Sequence, residues 1–254
     1  MIGPLVEPES VPEWLRPLVK VSGEVDSKTF TRFSPPDGAY TRSAAVLILF
    51  GEREADGEPD VLLQRRADTL GSHAGQVAFP GGGAEDGDGG PVGTALREAE
   101  EETGVVPSGI RPVAILPELF VPVSAFAVTP VLAYWAEPSP VHAVDPGETA
   151  SVARVPVADL VDPANRFTVK KAGAPWKGPA FEVSGLFVWG FTAGLLSVLL
   201  GLGGWEREWD SGDVRDLDAA LAAYQARVAA SHRGSAPGRG LRHPEPPQSG
   251  MSEE

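Results

Sequence analysis

The chain has 254 residues, a formal net charge of −14 and no cysteine, which excludes disulfides, thiolate metal sites and cysteine nucleophiles. With 42% hydrophobic and 22% charged residues it has the composition of a globular protein large enough to bury a core. So acidic a surface repels nucleic acid and anionic membranes, so neither is an expected partner, and an anionic substrate needs a metal ion or a few placed arginines.

The first 14 residues, MIGPLVEPESVPEW, carry acids and prolines where a secretion signal has a basic start and an apolar run, so the cytoplasm is the expected compartment. Residues 1–40 read as an extended or short-helical leader that breaks at Ser34-Pro35-Pro36. SAAVLILF (43–50) is an apolar run rich in branched residues, the pattern of a buried strand, and VLLQRR (61–66) is the next strand. QVAFPGG (76–82) ends in a strong breaker and leads through an acidic glycine loop into a helix over 91–103. Pro91 stands in its first turn and Gly104 just past its end.

IRPVAILPELF and AVTPVLAYW (127–135) read as two further strands. ASVARVPVADLVDPANR reads as a strand, a proline break and a short helical turn. GPAFEVSGLFVWG (178–190) reads as one more strand-like segment before the helix of TAGLLSVLLGL. The charge-free stretch between Glu182 and Glu206 has the length of a bilayer span, but glycines interrupt it and it divides into two pieces too short to cross, so a core strand and helix are expected. Val214, Leu217, Leu221, Tyr224 and Val228 recur at intervals of three and four, the apolar face of a docked amphipathic helix. A main domain over 41–230 and a disordered, proline-rich tail over 231–254 complete the expected organisation.

The helix over 91–103 holds the chemistry. With Glu98 at 0° and roughly 100° per residue, Glu101 falls near −60° and Glu102 near +40°, so three carboxylates share one face. Val92, Leu96, Ala99 and Thr103 form a separate packing face, and Glu100 points to solvent. Arg97, four residues before Glu101, is placed to neutralise and orient it. Converging hard-oxygen ligands suit Mg²⁺ or Mn²⁺, and a backbone carbonyl of the adjacent FPGG turn, at Gly82, is a further candidate ligand. Alone, these residues fit a solvated acidic face equally well; the glycine run beside them favours a site.

The run from Gly83 through Arg97-Glu98-Ala99-Glu100-Glu101-Glu102-Thr103-Gly104-Val105 resembles the Nudix box, G-x5-E-x7-R-E-U-x-E-E-x-G-U, where U is a bulky apolar residue. The box's early Glu falls at Gly89, with Glu85, Asp86 and Asp88 nearby. Upstream, LLQRRADTLGSHAGQVAFPGG (62–82) is similar to the extra motif of the coenzyme A pyrophosphatase branch, roughly L-L-T-x-R-S/A-x3-R-x3-G-x3-F-P-G-G. Leu62, Leu63, Arg66, Ala67, Gly75, Phe79, Pro80, Gly81 and Gly82 match, while Gln64 stands for Thr and Gly71 for the second Arg. Val128-Thr129-Pro130 and Trp189-Gly190-Phe191-Thr192-Ala193 extend the similarity in the branch's order.

The resemblance implies an α/β/α Nudix sandwich with a mixed β-sheet. It implies a metal-dependent diphosphatase that splits CoA or acyl-CoA into 3′,5′-ADP and (acyl-)4′-phosphopantetheine. ADP-ribose or another nucleoside-diphosphate derivative is the alternative substrate, and a non-catalytic ligand sensor the alternative class. Glu98 and Glu102 are the implied main metal ligands, Glu101 a base or third ligand, and Arg97 the group that orients them. Arg66, Gly75, Phe79 and Gly81 are the implied substrate-binding positions. For Arg65 and Arg66 a pair of surface charges, for His73 a polar loop residue, for Trp189 core filling and for Glu148 an exposed turn are the blander readings. The sequence leaves monomer and homodimer both open.

Overall fold

The computed structural model describes residues 2–35, 41–71, 73–173 and 176–234. Strands β1 (Gly3–Pro4), β2 (Arg42–Glu52), β3 (Pro59–Arg66), β4 (Val77–Ala78), β5 (Gly81–Gly83), β6 (Ile110–Ile115), β7 (Leu119–Val121), β8 (Phe126–Trp135) and β9 (Thr149–Pro156) form one mixed sheet. β2 and β8 run parallel at its centre, and the other pairings in that sheet are antiparallel. A smaller sheet joins β10 (Arg166–Lys170), β11 (Lys177–Val183), β12 (Leu186–Val188) and β13 (Val214–Asp216). The helices are α1 (Arg16–Val21), α2 (Ser27–Phe30), α3 (Pro91–Thr103), α4 (Val157–Leu160), α5 (Gly190–Leu202) and α6 (Leu217–Gly234).

β2 shows why an unbroken apolar run was needed. Ala45, Leu47 and Leu49 face α3, packing with Ala95 and Ala99. Ile48 and Phe50 face the other way, against Leu15, Leu18 and Val19 and against Leu195, Leu196 and Leu199 of α5. Both faces of the strand are covered, as in central strands of sandwiched sheets. The α/β/α sandwich with a mixed sheet is therefore the observed fold, with the smaller sheet as an addition that the sequence reading did not separate.

Residues 2–35 have the local structure expected of them, but they are not a detached leader. β1 pairs with β6 at the sheet edge, and Leu15, Leu18 and Val19 are at most 1% exposed. Leu18→Ala should therefore cost about 2–5 kcal/mol, the range for a large-to-small change in a closed core. Thermal unfolding measures this, and an unchanged Tm would show that the segment is dispensable.

Three elements differ from expectation. Residues 178–190 are not one strand but the hairpin β11–β12, turning at Ser184 and Gly185, both with positive φ. The segment 110–120 divides into β6 and β7. Val214 lies in β13 and is 39% exposed, whereas Leu217, Leu221, Tyr224 and Val228 dock α6 on the smaller sheet. Trp189 packs there too, edge-on to Trp176, so it fills that small core. The expected disordered tail lies outside the described residues from 235 onward, and the backbone of α6 continues to Gly234. Among the described residues no helix is long and apolar enough to cross a membrane.

Candidate functional site

α3 begins and ends where its punctuation places it, with Pro91 in the first turn and Gly104 in the left-handed conformation at the C-cap. Its C-terminal half lies against β5 and β2, close enough that side chains on the glycine strand would collide. A Cβ at Gly81 would sit 2.3 Å from the Ala45 carbonyl oxygen, and one at Gly82 would sit 2.5 Å from the Glu98 carboxylate. At Gly81, where the obstacle is backbone, only glycine permits that approach, whereas at Gly82 the Glu98 carboxylate would have to move.

Glu102 is the buried member of the acidic cluster, with 8% of its side chain exposed. The Gly81 amide donates to its Oε2 at 2.9 Å, and the Gln64 side-chain amide donates to the same oxygen. Arg66 Nη1 stands 3.6 Å from Oε1. Burial outweighs these partners and pushes the Glu102 carboxyl up to about 7. Glu98, half-buried beside it, is also raised, chiefly by burial.

Arg97 ties the cluster together. Its Nε and Nη2 donate to the two oxygens of Asp88 at 2.8 and 3.1 Å, and Nη2 also donates to the Gly83 carbonyl at 2.9 Å. Nη1 donates to Glu98 Oε1 at 3.0 Å and to Glu101 Oε2 at 3.1 Å. Asp88 further accepts from Thr94 Oγ1 and from the Glu85 amide, and the Arg97 guanidinium above all holds its carboxyl well below the usual range. Asp88 thus stands one residue before Gly89, the position at which the box has its early Glu.

The expected convergence of three carboxylates is two plus one. Glu98 and Glu102 lie beside the glycine strand, while Glu101, 59% exposed, is drawn to Arg97 at the solvent edge. Among the described residues no three acidic or histidine side chains gather closely enough to form a ready metal cage. The donor set still suits a hard cation. Glu98 Oε2 and Glu102 Oε1 have no hydrogen bond among the described residues, and both belong to carboxylates whose negative charge is poorly solvated. These two carboxylates would hold a divalent cation, which would add to the partial charge compensation from Arg97 and Arg66.

The four implied substrate-binding positions, and His73 and Glu148, lie at different places around the sheet. Phe79 is 2% exposed and belongs to the core cluster beneath the sheet, so a buried ring with no free surface replaces the expected substrate contact. Gly81 serves Glu102 through its amide and lies against β2. Gly75 lies beside Arg65 at the end of β3 and Asp68 in the loop after it, which pair with each other. Arg66 is half-buried and reaches Glu102. His73 contacts Gln76 on an exposed loop, and Glu148 is exposed on the turn before β9.

Sequence reasoning overlooked Gln64, Thr149 and the choice of Asp88. Gln64 entered only as a departure from the branch motif, yet it is 1% exposed and bonded to Glu102. Thr149, also 1% exposed, donates from Oγ1 to Gln64 Oε1 at 3.0 Å.

Comparison with known proteins bears on the same residues. The NUDIX domain family model matches residues 39–177. The protein named "Uncharacterized Nudix hydrolase NudL" of Cronobacter sakazakii is 37% identical over 160 residues, covering 62% of this chain and 81% of that protein. Its namesake of Escherichia coli K12 is 35% identical with the same coverage. Among solved structures, the Nudix hydrolase RenU of M. smegmatis gives a TM-score of 0.44 at 21% identity, covering 68% of this chain and 92% of that one. The matched span holds α3, the glycine strand and their partners Arg66 and Asp88, and on the strength of that match the chain belongs to the Nudix family.

Proposed function

We propose that this Nudix hydrolase, which acts on a nucleoside-diphosphate derivative, takes CoA or acyl-CoA as its substrate in the cytoplasm. The products are 3′,5′-ADP and (acyl-)4′-phosphopantetheine. One observation carries the reading: Arg66, from the motif shared with the CoA branch, lies 3.6 Å from Glu102 of the Nudix box. The two motifs thus meet, and a guanidinium beside the box glutamates supports a contact to a phosphate oxygen.

Nudix hydrolases use divalent metal ions, and Glu98 and Glu102 would hold Mg²⁺ or Mn²⁺ here, with Glu101 and the Gly82 carbonyl as further donors. When bound, the cation neutralises the diphosphate and makes an attacking water more acidic. The chain's own groups do the rest. Arg66 binds and orients the diphosphate, Arg97 fixes Glu98 and Glu101, and the exposed Glu101 carboxylate accepts the proton from water. Chelation should abolish turnover, and added Mg²⁺ or Mn²⁺ should restore it.

A second reading has its own support. Gly71 replaces an arginine of the branch motif, which removes a cation suited to the CoA 3′-phosphate and favours ADP-ribose. A charge-assisted contact is worth roughly 1.5–3 kcal/mol, about 10- to 150-fold in affinity. CoA should therefore be cleaved with a high KM. Gly71 is exposed, and a Cβ there would meet nothing within 4 Å, so Gly71→Arg is tolerated. That variant should raise kcat/KM for CoA by about 10-fold while leaving 3′-dephospho-CoA and ADP-ribose near their starting values. Efficient cleavage of ADP-ribose by a wild type that ignores CoA would overturn the CoA reading.

A further inference from the structure

We infer that Gln64 and Thr149 are positioning residues that decide which oxygen of Glu102 is left for the metal ion, an inference resting on the metal role proposed for Glu102. Both side chains are polar and 1% exposed, and a buried amide without partners is costly. Their bonds run in one direction. Thr149 Oγ1 donates to Gln64 Oε1 at 3.0 Å, which leaves the amide nitrogen turned toward Glu102 Oε2. The Gly81 amide donates to that same oxygen at 2.9 Å. Two donors therefore saturate Oε2, and Oε1 is presented on the side of Arg66.

The backbone is built to permit this. β3 and β9 pair in regular register from Asp60↔Pro156 to Arg65↔Ser151, and then slip so that Arg66 faces Thr149. Regular pairing would put Ala150 opposite Arg66, on the face that Gln64 shares with Arg66 at a spacing of two. The irregularity substitutes a hydroxyl for that methyl, as β-bulges beside active sites re-aim side chains. A simple cross-strand staple needs no such slip, and it does not need an amide aimed at a carboxylate.

Partners of this kind typically govern metal affinity by about 10- to 100-fold. The test is Mn²⁺ alone, titrated into the full-length chain and followed by loss of the free-ion paramagnetic resonance signal. Gln64→Met keeps the volume and removes the amide, and Thr149→Val keeps the shape and removes the hydroxyl. Each should weaken Mn²⁺ binding by about 10-fold, and Thr149→Ser, which restores the donor, should recover it. The Thr149 pair carries the test even where Gln64→Met folds poorly. A staple role predicts a lower Tm for Thr149→Val with Mn²⁺ affinity within twofold of wild type, and that result overturns the inference. Glu102→Gln run alongside separates the two failures. Unaltered Mn²⁺ binding in Glu102→Gln would remove the metal role of Glu102 itself, and this inference with it.

Discussion

Glu102→Gln should lower turnover by about a thousand-fold or more. Lewis-acid stabilisation of a transferring phosphoryl group is worth several kcal/mol, and each 1.4 kcal/mol is about a factor of ten. The substitution keeps an oxygen for the Gly81 amide and removes only the charge, so the fold should survive. Burial has pushed the Glu102 carboxyl up to about 7, so the native state disfavours its ionised form. Above that pH the charge is a cost to the metal-free protein, and removing it should leave Tm unchanged or raised. Glu98→Gln should lose activity on the same scale, since its half-buried carboxylate lies beside the same glycine strand. Glu101→Gln should lose about 100-fold, the low end for removing a general base, because that side chain is 59% exposed and its charge is screened by water and Arg97. Glu100→Gln, on the solvent side, should stay within a few-fold of wild type. Steady-state rates at saturating Mg²⁺ measure the series, and equal losses at all four positions would sink the assignment of roles.

The sequence made α3 legible because its signals are local. Pro91, Gly104 and the three-and-four spacing of the glutamates all act within the helix they mark. β2 was legible for the same reason, since a run with both faces buried has no polar alternate residue to disguise it. The hairpin of β11 and β12 was legible in principle, because Ser184-Gly185 is a turn signal inside an apolar segment, but the apolar run on each side masked it. The role of residues 2–35 was not legible, since α1 is too short to show a periodicity. Gln64 and Thr149 lie 85 residues apart and meet only through the paired strands and their slip. No local pattern encodes that contact. Asp88 is an intermediate case: the sequence limited the partner of Arg97 to a few nearby acids, and the loop conformation chose among them.

Arg97→Lys should lower kcat/KM on the order of 100-fold despite keeping the charge. The guanidinium donates to Asp88 through two nitrogens, to the Gly83 carbonyl, and through Nη1 to both Glu98 and Glu101. An ammonium is a point donor and cannot span those directions. Losing two charge-assisted bonds, at roughly 1.5–3 kcal/mol each, is enough for the expected fall even with partial compensation. Asp88→Ala should reproduce part of this loss, because it frees the guanidinium and also removes the acceptor for Thr94 Oγ1 at the start of α3. The defect should not be rescued by moving the carboxylate to the slot the family box gives it. Gly89 has φ +70°, a backbone conformation that costs a side chain roughly 1–2 kcal/mol, and Asp88 reaches Arg97 because the chain turns through Gly89 and Gly90. The double variant Asp88→Ala, Gly89→Glu should therefore remain as impaired as Asp88→Ala alone. Recovery of wild-type kcat/KM in the double variant would show that the loop re-forms around either position, and that Asp88 is interchangeable with the residue after it.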